Sequence, residues 1–329
     1  MSQPSEESKN EVAPVVSVII PTYKHRDLVM ETLASVWAQT FQDFEIIVID
    51  DGSPDGTAQL LRPLAQEGRI RLIEQENRGQ AAARNVGIAQ ARGEFIALLD
   101  DDDLWPDDKL QWQVEALRER PHAVLVYGYA HAFGNAFGKE VDWIWPDCQG
   151  PQGQVQEAFY QWNWIASPGQ MLVRHDAMRV VNGFDTRIWG ADDWDLYIRL
   201  AARGEFIYSH RLSLRYRYHA NNASHNARRM YLNLRRVMHK HLGRWPRAGN
   251  ARAWWSARRF VRSRYHESRT ARARAHTACG DWKKARVQWR RVLALEPGAI
   301  VDKDTLKHVL LAFSNGKFPP SRPQAQAQK

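Results

Sequence analysis

The chain has 329 residues, 44% hydrophobic and 25% charged, proportions near globular averages that exclude collagen-like and wholly disordered chains. Its net charge of +9 is unevenly placed: residues 1–210 hold 18 basic and 32 acidic side chains, and residues 211–329 hold 28 and 5. Apolar runs such as 15–20 and 123–126 fall far short of the ~20 residues that span a bilayer.

Residues 1–13 are polar and read as a disordered leader rather than a secretory signal. Residues 15–20 (VVSVII) are a short β-branched run closed by Pro21, the mark of a buried strand. Asp27 can cap a helix over 28–39, where Val29, Leu33, Val36 and Trp37 make one apolar stripe. A second buried strand over 45–49 ends at Asp50, Asp51 and Gly52. A helix near 57–65, a strand at 70–73 and an Ala-rich helix at 79–90 follow. The fourth strand, 94–99, runs straight into Asp100, Asp101, Asp102 and Asp103. Strands alternating with such helices predict an α/β fold, a doubly wound, mostly parallel sheet with helices on both faces. Ligands of such sheets bind beyond the carboxyl ends of the strands, where both acidic clusters sit.

Residues 140–170, rich in Trp, Gly and Pro, predict loops, 170–174 a short strand and 192–203 an amphipathic helix. Past 225 the pattern is helical, near 226–242, 250–265, 268–279, 282–295 and 303–313. The expected division is a leader (1–13), an α/β domain (14–225), a basic helical region (226–318) and a disordered tail (319–329). Cys148 and Cys279 form no metal-ligand spacing and read as buried or incidental thiols of a reducing cytosol.

Four adjacent carboxylates repel one another and are not buried as anions without a cation. Oxygen ligands at a strand end suit Mg²⁺ or Mn²⁺, with phosphate and water in the other positions; the plain alternative is an acidic surface turn. Asp50 and Asp51 can accept from a base or ribose, or merely build an Asp-Gly turn. Thr22 and Tyr23 end the first strand at the same edge, where Tyr23 can stack on a base and Arg78 and Arg84 can meet phosphates. Asp192, Asp193 and Asp195 open a helix, where acids favour the dipole and one can serve as a general base. Arg215, Arg217 and His219 alternate and would share a strand face, to bind a diphosphate or a metal or to lie on a plain surface strand. Trp143, Trp145, Trp162 and Trp164 make either an acceptor-binding wall or a mini-core.

In order and spacing, four segments resemble the family 2 glycosyltransferases of the GT-A fold: SVIIPTYKHRDLVMETLASVWAQTFQDFEIIVIDDGS, ENRGQAAARNVGIAQARGEFIALLDDDDLWPDDKL, SPGQMLVRHDAMRVVNGFD and GADDWDLYIRL. The resemblance spans 14–220. It implies a nucleoside-diphospho-sugar donor, transfer with inversion and a Mn²⁺ or Mg²⁺ cofactor. Thr22 and Tyr23 match the segment beside the nucleoside, and Asp50 and Asp51 the pair that recognises base or ribose. Asp100, Asp101 and Asp102 match the DXD motif, Asp102 reaching the metal; Asp101 stands where the family usually has Ser. Asp192 and Asp193 stand where the family has Glu-Asp, which makes Asp193 the catalytic base. Asp192 and Trp194, with Trp162 and Trp164, fall to the acceptor side. His219 lies near a late position that approaches metal or diphosphate.

The implied function is an inverting, metal-dependent glycosyltransferase of bacterial surface polysaccharide or glycolipid synthesis. A sugar nucleotidyltransferase would need a Gly-rich loop with Arg and Lys after the first strand, which residues 21–27 lack. A non-catalytic nucleotide- or glycan-binding protein is the other alternative, and the joint presence of Asp50, Asp102 and Asp193 argues against it.

Residues 276–298 look like one tetratricopeptide-type helical pair. Elsewhere the tail interleaves Arg with Trp, Tyr, Leu and Val, as an interfacial helix on anionic lipid does. A plain helical domain is the next reading, and nucleic acid the least favoured. A lipid-linked acceptor would fit an enzyme of the cytoplasm, peripheral at the inner face of the membrane.

Overall fold

The computed structural model describes residues 13–136, 139–219, 222, 226–295 and 303–315. Apolar runs become strands and amphipathic stretches become helices in the order β1 (Val16–Thr22), α1 (Arg26–Trp37), β2 (Phe44–Asp50), α2 (Thr57–Gln66), β3 (Arg71–Glu74), α3 (Gln80–Gln90), β4 (Phe95–Leu98) and α4 (Lys109–Glu119). Then come β5 (Ala123–Phe133), the short pair β6 (Asn135–Ala136) and β7 (Lys139–Glu140), β8 (Trp143–Trp145), α5 (Gln156–Gln161), β9 (Met171–Arg174), α6 (His175–Val180), α7 (Asp192–Ala201) and β10 (Glu205–Arg217). Among the described residues four helices follow: α8 (Ala227–Leu242), α9 (Ala251–Ala278), α10 (Trp282–Leu295) and α11 (Lys303–Phe313).

The main sheet runs β10-β5-β9-β4-β1-β2-β3, with β8 paired to β5. Neighbours are parallel except at β9, antiparallel to both β4 and β5, and at β8. The chain leaves β1 towards β2 on one side and returns to β4 on the other, so β1/β4 is the switch point that opens a crevice at the carboxyl edge. Val16, Val18 and Ile20 face a core completed by Val29, Leu33 and Val36 of α1, Leu61 of α2 and Leu110 and Val114 of α4. Each such fully buried aliphatic side chain contributes about 1.5–3 kcal/mol. On the opposite face α3 lies so close that a Cβ on Gly87 would sit 2.4 Å from Ile19 Cγ2. The fold is the expected α/β sheet with helices on both faces.

Several expectations need correction. Asp27 lies in the first turn of α1, and His25 takes the cap position. The segment 140–170 contains β8 and α5 as well as loop. The two helices expected over 250–279 are one, α9. His219 lies past the end of β10, so it does not share a strand face with Arg215 and Arg217. Cys148 and Cys279 are free and exposed, not buried. The expected tail 319–329, and the leader apart from Ala13, lie outside the described residues.

The chain divides into two compact units, one of residues 1–223 with 236–257, the other of 224–235 with 258–329. The second has its own core of Ala273, Ala285, Trp289, Val292, Val309 and Ala312. There the buried Trp289 indole donates to Thr277 Oγ1 at 3.1 Å. Among the described residues no helix is long and apolar enough to cross a membrane.

Candidate active site

Three strands deliver the site to one edge. Thr22 of β1 is in register with Asp50 of β2, and the segment after β4 carries Asp100–Asp103 beside them. Thr22 is buried and Tyr23 is 40% exposed. Lys24 then adopts a left-handed conformation (φ 63°), which non-glycine residues seldom take. Its N–H donates to Ser53 Oγ at 3.1 Å, and the turn brings His25 back against the acidic segment.

The four adjacent carboxylates are separated by giving each its own partner. Asp100 accepts from Arg84 Nη2 at 2.5 Å and from Gln80 Nε2 at 3.0 Å. Asp101 is buried; one oxygen pairs with His25 Nδ1 at 2.8 Å and the other accepts from the Tyr23 N–H at 3.1 Å. Asp102 Oδ2 lies 2.9 Å from His219 Nε2. Asp103 is fully buried and accepts from the Arg217 N–H at 2.8 Å. Burial, then the charge of Asp102, holds Asp103 well above the usual carboxylate range. The hydrogen bond to Asp101 pushes the His25 imidazole up to about 9 despite partial burial.

His25, Asp102 and His219 each offer one ligand atom, and these atoms lie within 4.8 Å of one another. A carboxylate and imidazoles at this spacing fit a divalent ion of the Mn²⁺ type. Arg217 braces this corner: its Nε donates to the Asp102 carbonyl at 2.8 Å and its Nη2 meets Glu31 at 2.6 Å.

Arg84 is not placed as an open phosphate contact. It is 3% exposed and bridges Asp100 to Asp192, the latter at 3.2 Å. Burial alone would lower the guanidinium pKa, but Asp100 and Asp192 outweigh it and raise it. Asp192 likewise is not a free acceptor-side group, because it is buried on this arginine. Trp194 is corrected outright: it is fully buried, and its indole donates to the Phe159 carbonyl at 2.7 Å. Asp193, between them, accepts from the Trp194 N–H at 2.6 Å. Burial, then the adjacent Asp192 charge, pushes its carboxyl up to about 8.

Asp51 is engaged by the protein itself, accepting from Gln75 Nε2 at 2.7 Å and from the N–H groups of Arg78 and Gly79 at 2.9 and 2.8 Å. It thereby braces the entry to α3 and presents Arg78, whose side chain is exposed. Asp50 accepts from the Ser53 N–H at 3.1 Å. The tryptophans pair off: Trp145 stacks on Trp162 with centroids 5.7 Å apart, Trp143 lies 5.8 Å from Tyr216, and the Trp164 indole bonds to the Ala158 carbonyl. His25 and the bracing role of Arg217 escaped sequence reasoning. The available signal for His25 was the extra carboxylate, Asp101, in place of the usual Ser.

Residues 17–181 match the family model described as Glycosyl transferase family 2. The chain is 41% identical over 119 residues to the putative teichuronic acid biosynthesis glycosyltransferase TuaG of Bacillus subtilis, a match covering 36% of this chain and 47% of that protein. It spans at most about half the length of such curated relatives. Among solved structures, S. aureus TarS 1-349 in complex with UDP superposes with a TM-score of 0.57 at 18% identity, covering 92% of this chain and 87% of that one. The mannosyltransferase PcManGT from Pyrobaculum calidifontis, in complex with GDP-Man and Mn²⁺, gives 0.56 at 18% identity, covering 94% and 89%. At these identities the likeness is one of fold.

Proposed function

The protein belongs to glycosyl transferase family 2, and from that premise we propose that it is an inverting, divalent-metal-dependent glycosyltransferase that moves a sugar from a nucleoside-diphospho-sugar to an acceptor hydroxyl in bacterial surface polysaccharide synthesis. The observation that carries this reading is the convergence, on one sheet edge, of the Asp102–His219–His25 group with the perturbed carboxyl of Asp193. Solved neighbours of this fold hold UDP and GDP-Man, which favours a nucleotide donor here.

The half-exposed Tyr23 ring offers a stacking face for the base, and the buried Asp50, already bonded to the Ser53 N–H, is the carboxylate that would accept from base or ribose. Arg78 adds a cation for the diphosphate. Asp102 and His219 would hold the divalent ion, which when bound neutralises the charge that grows on the leaving diphosphate. Asp193 takes the proton from the acceptor hydroxyl as that oxygen bonds to the anomeric carbon and the carbon–diphosphate bond breaks on the opposite face. One base suffices for inversion, so no second carboxylate nucleophile is required. Arg84 keeps Asp100 and Asp192 in place around this step.

Asp102→Ala tests the metal role. Calorimetry with Mn²⁺ and UDP or GDP should show metal-dependent nucleotide binding weakened at least about tenfold, with the fold retained because a charge cluster is relieved. Unchanged affinity removes the assignment.

We also propose a peripheral stay on anionic membrane. The basic region carries Arg close in sequence to exposed residues, Trp245 and Trp255 being 72% and 55% exposed. The full chain should co-float with vesicles containing anionic lipid at low salt and be released at high salt. Indifference to the anionic lipid leaves a plain helical region. The acceptor is then a glycan, free or linked to lipid.

A further inference from the structure

We propose that His25 is a third protein ligand of the divalent ion, oriented by Asp101, and that the resulting two-imidazole set makes the site favour Mn²⁺ over Mg²⁺. This rests on the metal-dependent reading above. The ligand atoms of His25, Asp102 and His219 lie within 4.8 Å of one another. Two ligands bonded to one ion at about 2.0–2.6 Å reach at most 4–5 Å apart, so all three fit a single ion. The His25 and His219 rings meet edge to face, centroids 5.8 Å apart and planes at 90°.

The supporting shell is already built. Asp101 takes His25 Nδ1 at 2.8 Å, so a metal would bind at Nε2 in place of the proton that nitrogen carries in the imidazolium. A carboxylate behind an imidazole is how proteins fix the tautomer and aim of a metal-binding histidine. The second Asp101 oxygen accepts from the Tyr23 N–H, so the carboxylate itself is held from two sides. A serine at position 101 has one shorter oxygen and could not serve both donors. The left-handed Lys24 between them is the strained residue that turns His25 towards Asp101. The side chain of His25 is 27% exposed, so packing alone does not account for its place. Mg²⁺ prefers oxygen ligands and keeps its water, whereas imidazoles suit the later divalent ions.

The test uses the whole chain saturated with UDP or GDP, titrated calorimetrically with Mn²⁺ and with Mg²⁺, and loaded with Co²⁺ for visible absorption. His25→Ala and His25→Gln should lower Mn²⁺ affinity at least about tenfold and shift the Co²⁺ bands, while Mg²⁺ affinity changes far less. Asp101→Ser should give an intermediate loss of Mn²⁺ affinity. Near-ultraviolet circular dichroism checks that each variant is folded. If both His25 variants keep the wild-type Mn²⁺ affinity and Co²⁺ spectrum, His25 is only a counter-ion for Asp101 and the proposal fails. If the wild type binds neither ion, the metal-dependent reading itself falls.

Discussion

Asp193→Asn should lower turnover by ~10²–10⁴-fold, roughly 3–5 kcal/mol of barrier, and leave the affinity for UDP or GDP unchanged. Asparagine keeps the volume and can still accept from the Trp194 N–H, but it cannot take a proton from the acceptor. The loss belongs in kcat and not in the donor Michaelis constant. The wild-type pH profile supplies a second readout. Because the carboxyl is pushed up to about 8, its basic form grows in as pH rises through that value. The wild-type kcat/KM should climb to about pH 8 and level off, while the residual rate of the variant lacks this limb. Linkage fixes the sign for stability too: a carboxyl raised above its unfolded value of 3.8 weakens the fold progressively between pH 4 and 8. Asp193→Asn should therefore melt no lower than wild type at pH 8. Asp192→Asn is the comparison: it should cost stability through Arg84 more than it costs turnover. If both variants stay active, the base lies elsewhere.

Arg84→Met should destabilise the first unit by about 3–5 kcal/mol at pH 7, the usual cost of breaking a buried ion pair from one side. Methionine fills most of the volume, so the effect isolates the charge. Asp100 and Asp192 lose their shared cation, and Asp192 has little water to replace it. Burial already raises the Asp192 carboxyl and Arg84 opposes that rise, so without the arginine it neutralises at a still higher pH. The deficit should shrink as pH falls and the Asp192 carboxyl takes a proton. Urea unfolding of wild type and variant at pH 7 and pH 5 measures this. A variant as stable as wild type at pH 7 would show that Arg84 offsets nothing.

The central sheet was legible because its strands are buried on both faces and so read as nearly continuous apolar runs: VVSVII, EIIVI and EFIALL. The long strand β5 was not, because Gly128 and His131 interrupt its pattern. In β10, register shifts around Tyr208–Leu214 break the alternation that a strand search relies on. Within the site, the acidic segments announced themselves by charge, but their partners did not. His25 and Asp101 are 76 positions apart, and Arg84 and Asp192 are 108 apart. An arginine near the carboxyl edge of the sheet reads as a phosphate contact, and a tryptophan among aspartates as an acceptor-side residue. Only folding shows that Arg84 and Trp194 both turn inward.

The reversed strand β9 has a consequence for how the chain is made. β1 to β4 pair among themselves, and their sequence is complete by residue 98. Among the described residues β5 joins that sheet only through β9, which begins at Met171. At ~5–20 residues per second, a ribosome leaves β5 without its bridge for roughly 2–8 s. During that interval an apolar strand edge is open to other chains. Nascent or truncated chains ending between β5 and β9 should therefore aggregate more than chains stopped just before β5, and translation speed across residues 134–170 becomes a determinant of yield.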